Sequence, residues 1–212
     1  MATLSDISAS VTKRLKESAT DATTLARVYE CVNMAYIQIC SDRDWPFLRV
    51  NNKKLPGNGT RAYPVESETS KVINVRYGTS PNGESTIKLT KVDKNDILLN
   101  PKSAGSTPEH YCISEEGFLE LDIEISSSFN IYYDYTVSAD NLVNTSDLVL
   151  IPDKFCGVLK QLAYYYALDA DNDSRAENAY NLYRQMYFKM ISNAFFNGDE
   201  DTVMRSGYEN WP

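Results

Sequence analysis

Apolar residues recur along this chain with two distinct periods, and the period changes twice. Leu4, Ile7, Val11 and Leu15 are spaced three or four residues apart, which is one face of a helix running to about Lys16. Asp21 then offers a capping oxygen, and Leu25, Val28, Val32, Ala35, Tyr36 and Ile39 continue the same spacing to about Asp42. Pro46 is expected to stop this second helix, because the residue before a proline is pushed out of the helical region. The connection over residues 18–22 is short enough to make the two helices antiparallel neighbours.

From Phe47 to about Val143 the period becomes two. Residues 47–50, 61–65, 71–77, 85–91, 109–113, 118–125 and 129–137 alternate or are rich in β-branched and aromatic side chains. Turn-forming clusters separate them, among them Pro56-Gly57-Asn58-Gly59, Pro81-Asn82-Gly83 and Glu115-Glu116-Gly117. Short strands at this spacing predict an antiparallel sandwich or small barrel and not βαβ units. Residues 91–99 are ambiguous and leave room for one helical turn. At Pro152 the helical period returns through Phe155, Val158, Leu159, Leu162, Tyr165, Tyr166 and Leu168, with the proline at a tolerated first-turn position. After a polar break at 169–174, a last helix over about 174–196 carries Ala176, Ala179, Tyr180, Tyr183, Met186, Tyr187, Met190 and Ile191 on one side and ends at Gly198.

Neither helical pair can cover its apolar stripe alone. The expected fold is therefore α+β: a four-helix layer from N- and C-terminal helical hairpins (1–45 and 150–197), an inserted antiparallel β-sandwich or small barrel (46–149), and a flexible tail (198–212).

Composition narrows the function. The chain has 212 residues, 42% hydrophobic and 24% charged, enough to bury a core, and its formal net charge is −8. That balance argues against gripping nucleic acid through its phosphates, leaving room only for local basic patches. No apolar run has the length of a membrane span and no secretion segment opens the chain, so a cytoplasm-like compartment and no membrane partner are expected. Cys31, Cys40, Cys112 and Cys156 form no Cys-x-x-Cys pair and His110 is the one histidine, a set that suits buried small hydrophobes better than zinc or disulfides. Fifteen tyrosines exceed what packing needs and suggest subunit interfaces.

Catalytic signatures are missing from the sequence. There is no phosphate-binding glycine loop, no His-Glu-x-x-His and no nucleophile elbow, and His110 has no activating motif around it, so no cofactor and no catalytic residue is expected. Asp169, Asp171 and Asp173 imitate the start of a calcium loop, but Ser174 and Tyr180 stand where glycine and glutamate are needed, so a solvated turn is the better reading. Glu120, Asp122 and Glu124 fall on one face of their predicted strand. They could supply hydrolase carboxylates. The preferred reading is a solvated face, which in a ring of copies would line a negative channel that repels a polyanion. The clusters Tyr132-Tyr133-Asp134-Tyr135 and Tyr164-Tyr165-Tyr166 cannot all be core, and interface contact is preferred to a ligand platform.

The order of these parts resembles the head-to-tail connector, or tail tubular protein A type, adaptors of tailed bacteriophages. The likeness rests on the helix ending Val32-Asn33-Met34-Ala35-Tyr36-Ile37-Gln38-Ile39 that runs into Asp44-Trp45-Pro46-Phe47-Leu48, on the tyrosine-rich strand 130–137, and on Leu150-Ile151-Pro152-Asp153-Lys154-Phe155 before the helical pair. The resemblance implies a non-enzymatic virion component of the neck, made in the host cytoplasm. It would form a ring, commonly twelvefold, between the portal and a tail or nozzle protein, with double-stranded DNA passing through without specific binding. It also implies a C-terminal segment that reaches the portal; here Tyr208 and Trp211, the large apolar groups of a polar tail, are the expected anchors, and Trp45 with Pro46 is the expected structural junction to the insertion. The alternative is a carbohydrate- or cell-surface-binding β module on a helical stalk.

Overall fold

The computed structural model describes residues 1–17, 21–99 and 106–195. In chain order the elements are α1 (Leu4–Leu15), α2 (Ala22–Ser41), a 3-10 turn (Pro46–Leu48), β1 (Arg49–Pro56), β2 (Ala62–Pro64), β3 (Thr69–Gly78), β4 (Ile87–Lys88), β5 (Thr90–Lys91), α3 (Lys94–Leu99), β6 (His110–Ile113), β7 (Phe118–Leu121), β8 (Asn130–Val137), a second 3-10 turn (Asp153–Phe155), α4 (Cys156–Ala170) and α5 (Ala176–Phe195). They form two compact units, Met1–Leu48 with Ala139–Pro212, and Arg49–Ser138. The chain is α+β, as its hydrophobic periods predict.

In the helical unit, the ends of the elements are fixed by local chemistry. Thr3 and Asp6 make a capping box on α1, with Thr3 Oγ1 accepting from Asp6 N at 3.2 Å and Asp6 Oδ2 accepting from Thr3 N at 2.9 Å. Asp21 caps α2 by accepting from Thr24 N at 2.7 Å. The α2 helix already ends at Ser41. Pro46 does not stop it but opens the 3-10 turn that follows. The central element is α4, which touches α1, α2 and α5 and is buried around most of its circumference through Val158, Leu159, Leu162, Ala163, Ala167 and Leu168. Its one buried amide, Gln161, donates to Ala179 O at 2.8 Å and accepts from Arg14 Nη2 at 2.7 Å, so α5 and α1 are both tied to α4 through one side chain. Arg27 adds a second tie, reaching Glu17 at 2.6 Å and Asp171 at 2.5 Å.

The β unit is two four-stranded sheets with orders β1-β8-β3-β4 and β2-β7-β6-β5. One core lies between them, built from Val75, Ile131, Tyr133 and Tyr135 on the first sheet and Tyr63, Tyr111, Leu119 and Leu121 on the second. All pairings are antiparallel except β5 with β6, which is parallel, so the second sheet is mixed where the sequence suggested a purely antiparallel arrangement. Most of β1, Asn51 to Pro56, carries no apolar alternation and is missing from the predicted strands. It pairs with β8 after a bulge at Asn51 and Asn52, where Asn52 takes a left-handed φ of 58°. Gly57 follows it at a point where a Cβ would come within 2.7 Å of Phe129 O, which explains a glycine there.

Tyrosine is more of a core residue here than the sequence reading expected. Tyr132, Tyr133 and Tyr135 are all buried: β8 is flanked by strands on both sides, and Tyr133 and Tyr135 face the core between the sheets. Their hydroxyls are satisfied: Tyr132 donates to Thr79 O at 3.0 Å, Tyr135 to Glu68 Oε1 at 3.0 Å, and Tyr133 accepts from Glu66 N at 3.1 Å. In the helical unit Tyr36 and Tyr183 are buried as well.

Candidate functional site

Trp45 lies in the loop after α2 and is fully buried in the helical unit. Its indole N–H donates to Ile39 O at 2.6 Å, satisfying a carbonyl of the last turn of α2. Phe47 stacks on the indole at a centroid distance of 5.3 Å, Phe195 lies at 5.6 Å and Tyr187 meets it edge-on at 6.0 Å. Arg43 covers both Trp45 and Tyr187, at 5.5 and 5.7 Å, while its Nε donates to Asp42 at 2.8 Å. The Tyr187 hydroxyl also bonds to Asp42, and burial together with that carboxylate pushes its pKa up. Pro46 itself is exposed.

The carboxylates Glu120, Asp122 and Glu124 do not form one solvated stripe. Asp122 is 2% exposed and accepts from the backbone N–H groups of Glu109 and His110 at 3.2 Å, with His110 Nδ1 also 3.2 Å away. Those N–H groups extend past the last β6–β7 ladder pair, and the Asp122 side chain folds in to satisfy them. Glu120 is partly exposed and paired with Lys94 at 3.0 Å, and only Glu124 is open to water. Cys112 lies on β6 across from Glu120, and burial pushes its thiol pKa up, the opposite of what a nucleophile beside His110 would need.

A polar constellation that the sequence did not disclose lies on the outer face of the β1-β8-β3-β4 sheet. Asp134, in the middle of β8, has a side chain only 5% exposed. It accepts from Arg76 at 2.6 Å, Arg49 at 3.3 Å, the Asn74 amide at 3.3 Å and Asn52 N at 2.9 Å. Burial opposes its ionisation, but the Asn52 and Asn74 hydrogen bonds with the Arg76 and Arg49 charges outweigh it and hold the carboxyl below its ordinary value. The one advance signal was an aspartate inside an otherwise aromatic strand.

In the helical unit, apolar side chains reach water at Met34, Leu182, Val143 and Leu148. A shallow groove of about 740 Å³ is lined by Glu30, Asn33, Met34, Ile37, Ser41 and Tyr166 among others, and a second of about 570 Å³ lies between α4 and α5 over Phe155, Val158, Met186 and Met190. Tyr164, Tyr165 and Tyr166 are half-buried on α4, with Tyr166 bonded to Gln38. The imitation calcium loop is a turn whose Asp171 and Asp173 are paired with Arg27 and Arg175. Among the described residues no group of His, Cys, Asp and Glu is arranged to hold a metal ion, and no helix is long and apolar enough to cross a membrane. Tyr208 and Trp211 lie outside the described residues.

A helical unit made from both ends of one chain, interrupted by a two-sheet β unit, defines an α+β protein. The SU10 adaptor protein family model matches residues 2–208, spanning both units, and the chain belongs to that family of phage adaptors. No curated protein matches it.

Proposed function

We propose that this chain is a structural virion protein that joins the portal to the tail as an oligomeric ring through which the genome passes. The carrying observation is the family match, whose bounds, residues 2–208, take in the helical unit, the β unit and most of the C-terminal segment. In this reading the helical unit faces the portal, and its exposed Met34, Leu182, Val143 and Leu148 suit docking against another protein. Trp45 and Pro46 set the point where the chain leaves that unit. The subunit also meets a tail or nozzle protein, and double-stranded DNA passes without specific binding, in keeping with a net charge of −8. The ring is commonly twelvefold in adaptors of this kind, and the free subunit is a monomer that assembles on its portal.

Mixing the purified chain with its cognate portal, with masses read by mass photometry and stoichiometry by electron microscopy, tests the reading. A monomer alone and a ring on the portal are expected; failure to associate with the portal overturns it. The C-terminal anchors are tested in the same assay. Deleting residues 204–212, which removes Tyr208 and Trp211, should leave the fold intact and weaken portal binding, since a few aromatic groups carry much of an interface's energy. Unchanged portal affinity removes the anchor role, and a collapsed fold shows that the segment packs on its own subunit.

A further inference from the structure

The two outer faces of the β unit carry opposite charge. On the β1-β8-β3-β4 sheet, Arg49 pairs in register with Thr136, Lys54 with Tyr132, Lys71 with Thr136, Arg76 with Tyr132, and Lys88 with Arg76. Side chains of registered partners share a face, and this is the face opposite the one that buries Ile131, Tyr133 and Tyr135 in the core. Five cations therefore gather around one carboxylate, Asp134, on a chain whose overall charge is negative. Asp134 is already engaged with Arg49 and Arg76 and holds them in place, while Lys54, Lys71 and Lys88 reach solvent at the periphery.

The far side of the same sandwich has the opposite character. Leu119 and Leu121 point into the core, so Glu120 between them points out; Glu124, past the end of β7, is exposed between buried Ile123 and Ile125. The α3 helix packs on β6 on this outer side, since its Lys94 reaches Glu120, and it brings Asp93 and Asp96 with it; Glu116 lies close enough to Lys94 to act on its charge. Lys91 and Lys94 are the cations among these acids, and Lys94 is engaged by Glu120. Because one core separates the two sheets, the basic and acidic faces are on opposite sides of one unit.

We propose that the basic face of the β1-β8-β3-β4 sheet in one copy docks on the acidic, α3-bearing face of the β2-β7-β6-β5 sheet in the next copy. This rests on the ring reading above and deepens it, and it places Glu120 and Glu124 at a subunit contact in place of a channel wall. Two different, complementary faces on opposite sides of a subunit make a head-to-tail contact, the kind that closes into a ring. Four strands about 4.8 Å apart and eight residues at about 3.4 Å give at most roughly 500 Å² a side, near the lower limit for a specific interface. A contact of that size and polarity selects partner and register more than it supplies affinity, which fits a free monomer that assembles on a template.

The test reverses each face separately. One variant carries Lys54→Glu, Lys71→Glu and Lys88→Glu, leaving the Asp134 network intact; the other carries Glu116→Lys and Glu124→Lys. Each should keep the wild-type melting curve and lose assembly on the portal by about tenfold or more, because like charges then face each other across the contact. An equimolar mixture of the two variants should recover assembly, since each reversed face now meets its complement, and wild-type assembly should weaken from 50 to 500 mM NaCl. If the wild type assembles and both variants assemble equally well, this contact is wrong while the adaptor reading stands. If the wild type fails to assemble on its portal, the adaptor reading fails, and sedimentation of the free variants and their mixture at 50 mM NaCl still reads the contact. Neutral Lys→Gln and Glu→Gln sets replace any variant that misfolds, with loss in each and no recovery on mixing expected. Loss of duplex DNA binding in the lysine variant with assembly unchanged would assign the face to nucleic acid and overturn the proposal.

Discussion

Single buried residues tie parts of each unit together through hydrogen bonds. Trp45 fills the space between α2, the 3-10 turn and α5 while its N–H satisfies Ile39 O. Truncating it to alanine should cost roughly 3–5 kcal/mol. Trp45→Phe should cost about 1–3 kcal/mol, mostly from the carbonyl left without a donor. Thermal or urea unfolding measures both, and an unchanged Trp45→Ala curve would contradict the burial. Asp134 is the counterpart in the β unit. Its carboxyl is held below its ordinary value near 3.8, so its stabilisation is complete above about pH 5 and is lost as the pH falls through the lowered native value. Asp134→Asn should therefore flatten the acid limb of the melting temperature against pH. At neutral pH it should cost about 3 kcal/mol, the lower end for breaking a buried pair, because Arg49 and Arg76 both reach solvent.

At the scale of elements, the amphipathic helices were the easiest to read and the sheet partners the hardest. Leu4, Ile7, Val11 and Leu15 announce α1, and Thr3 with Asp6 set its start, because a helix satisfies its backbone within itself and its face is written at i, i+3 and i+4. Strand β1 past Val50 was illegible: Asn51-Asn52-Lys53-Lys54 has no hydrophobic alternation, and only its pairing with β8 makes it a strand. The same pairing brings the ends of the β unit together, with Arg49 opposite Thr136. A fragment of residues 49–138 should accordingly fold alone, giving a cooperative melt and dispersed amide resonances. A disordered spectrum would show that this core depends on the helical unit.

For the whole molecule, the two units divide the tasks that the sequence had assigned to one list of residues. The buried tyrosines of β8 join a core shared by both sheets, and charge is sorted to opposite sides of it, so the sandwich can present two distinct surfaces at once. Assembly should consequently respond to salt more than folding does. Raising NaCl from 50 to 500 mM should reduce the ring fraction on the portal while moving the melting temperature of the free chain by no more than about 2 °C. A melting temperature that falls in step with the ring fraction would contradict this.

By itself the sequence determined the fold class, the four long helices with the Asp21 cap of α2, and the family likeness, because these depend on local periodicity and on the order of short motifs. Tertiary structure decided what each polar residue became. Glu120, Asp122 and Glu124 look equivalent at alternate positions, yet one is paired with Lys94, one is buried against the Glu109 and His110 N–H groups and one is solvated. Asp134 reads as an interruption of an aromatic strand until β1 and β3 bring Arg49 and Arg76 to it from 85 and 58 residues away. The physical reason is the same in each case. The fate of a charge depends on which donors and how much water surround it, and in a sheet those neighbours come from strands far away in the chain.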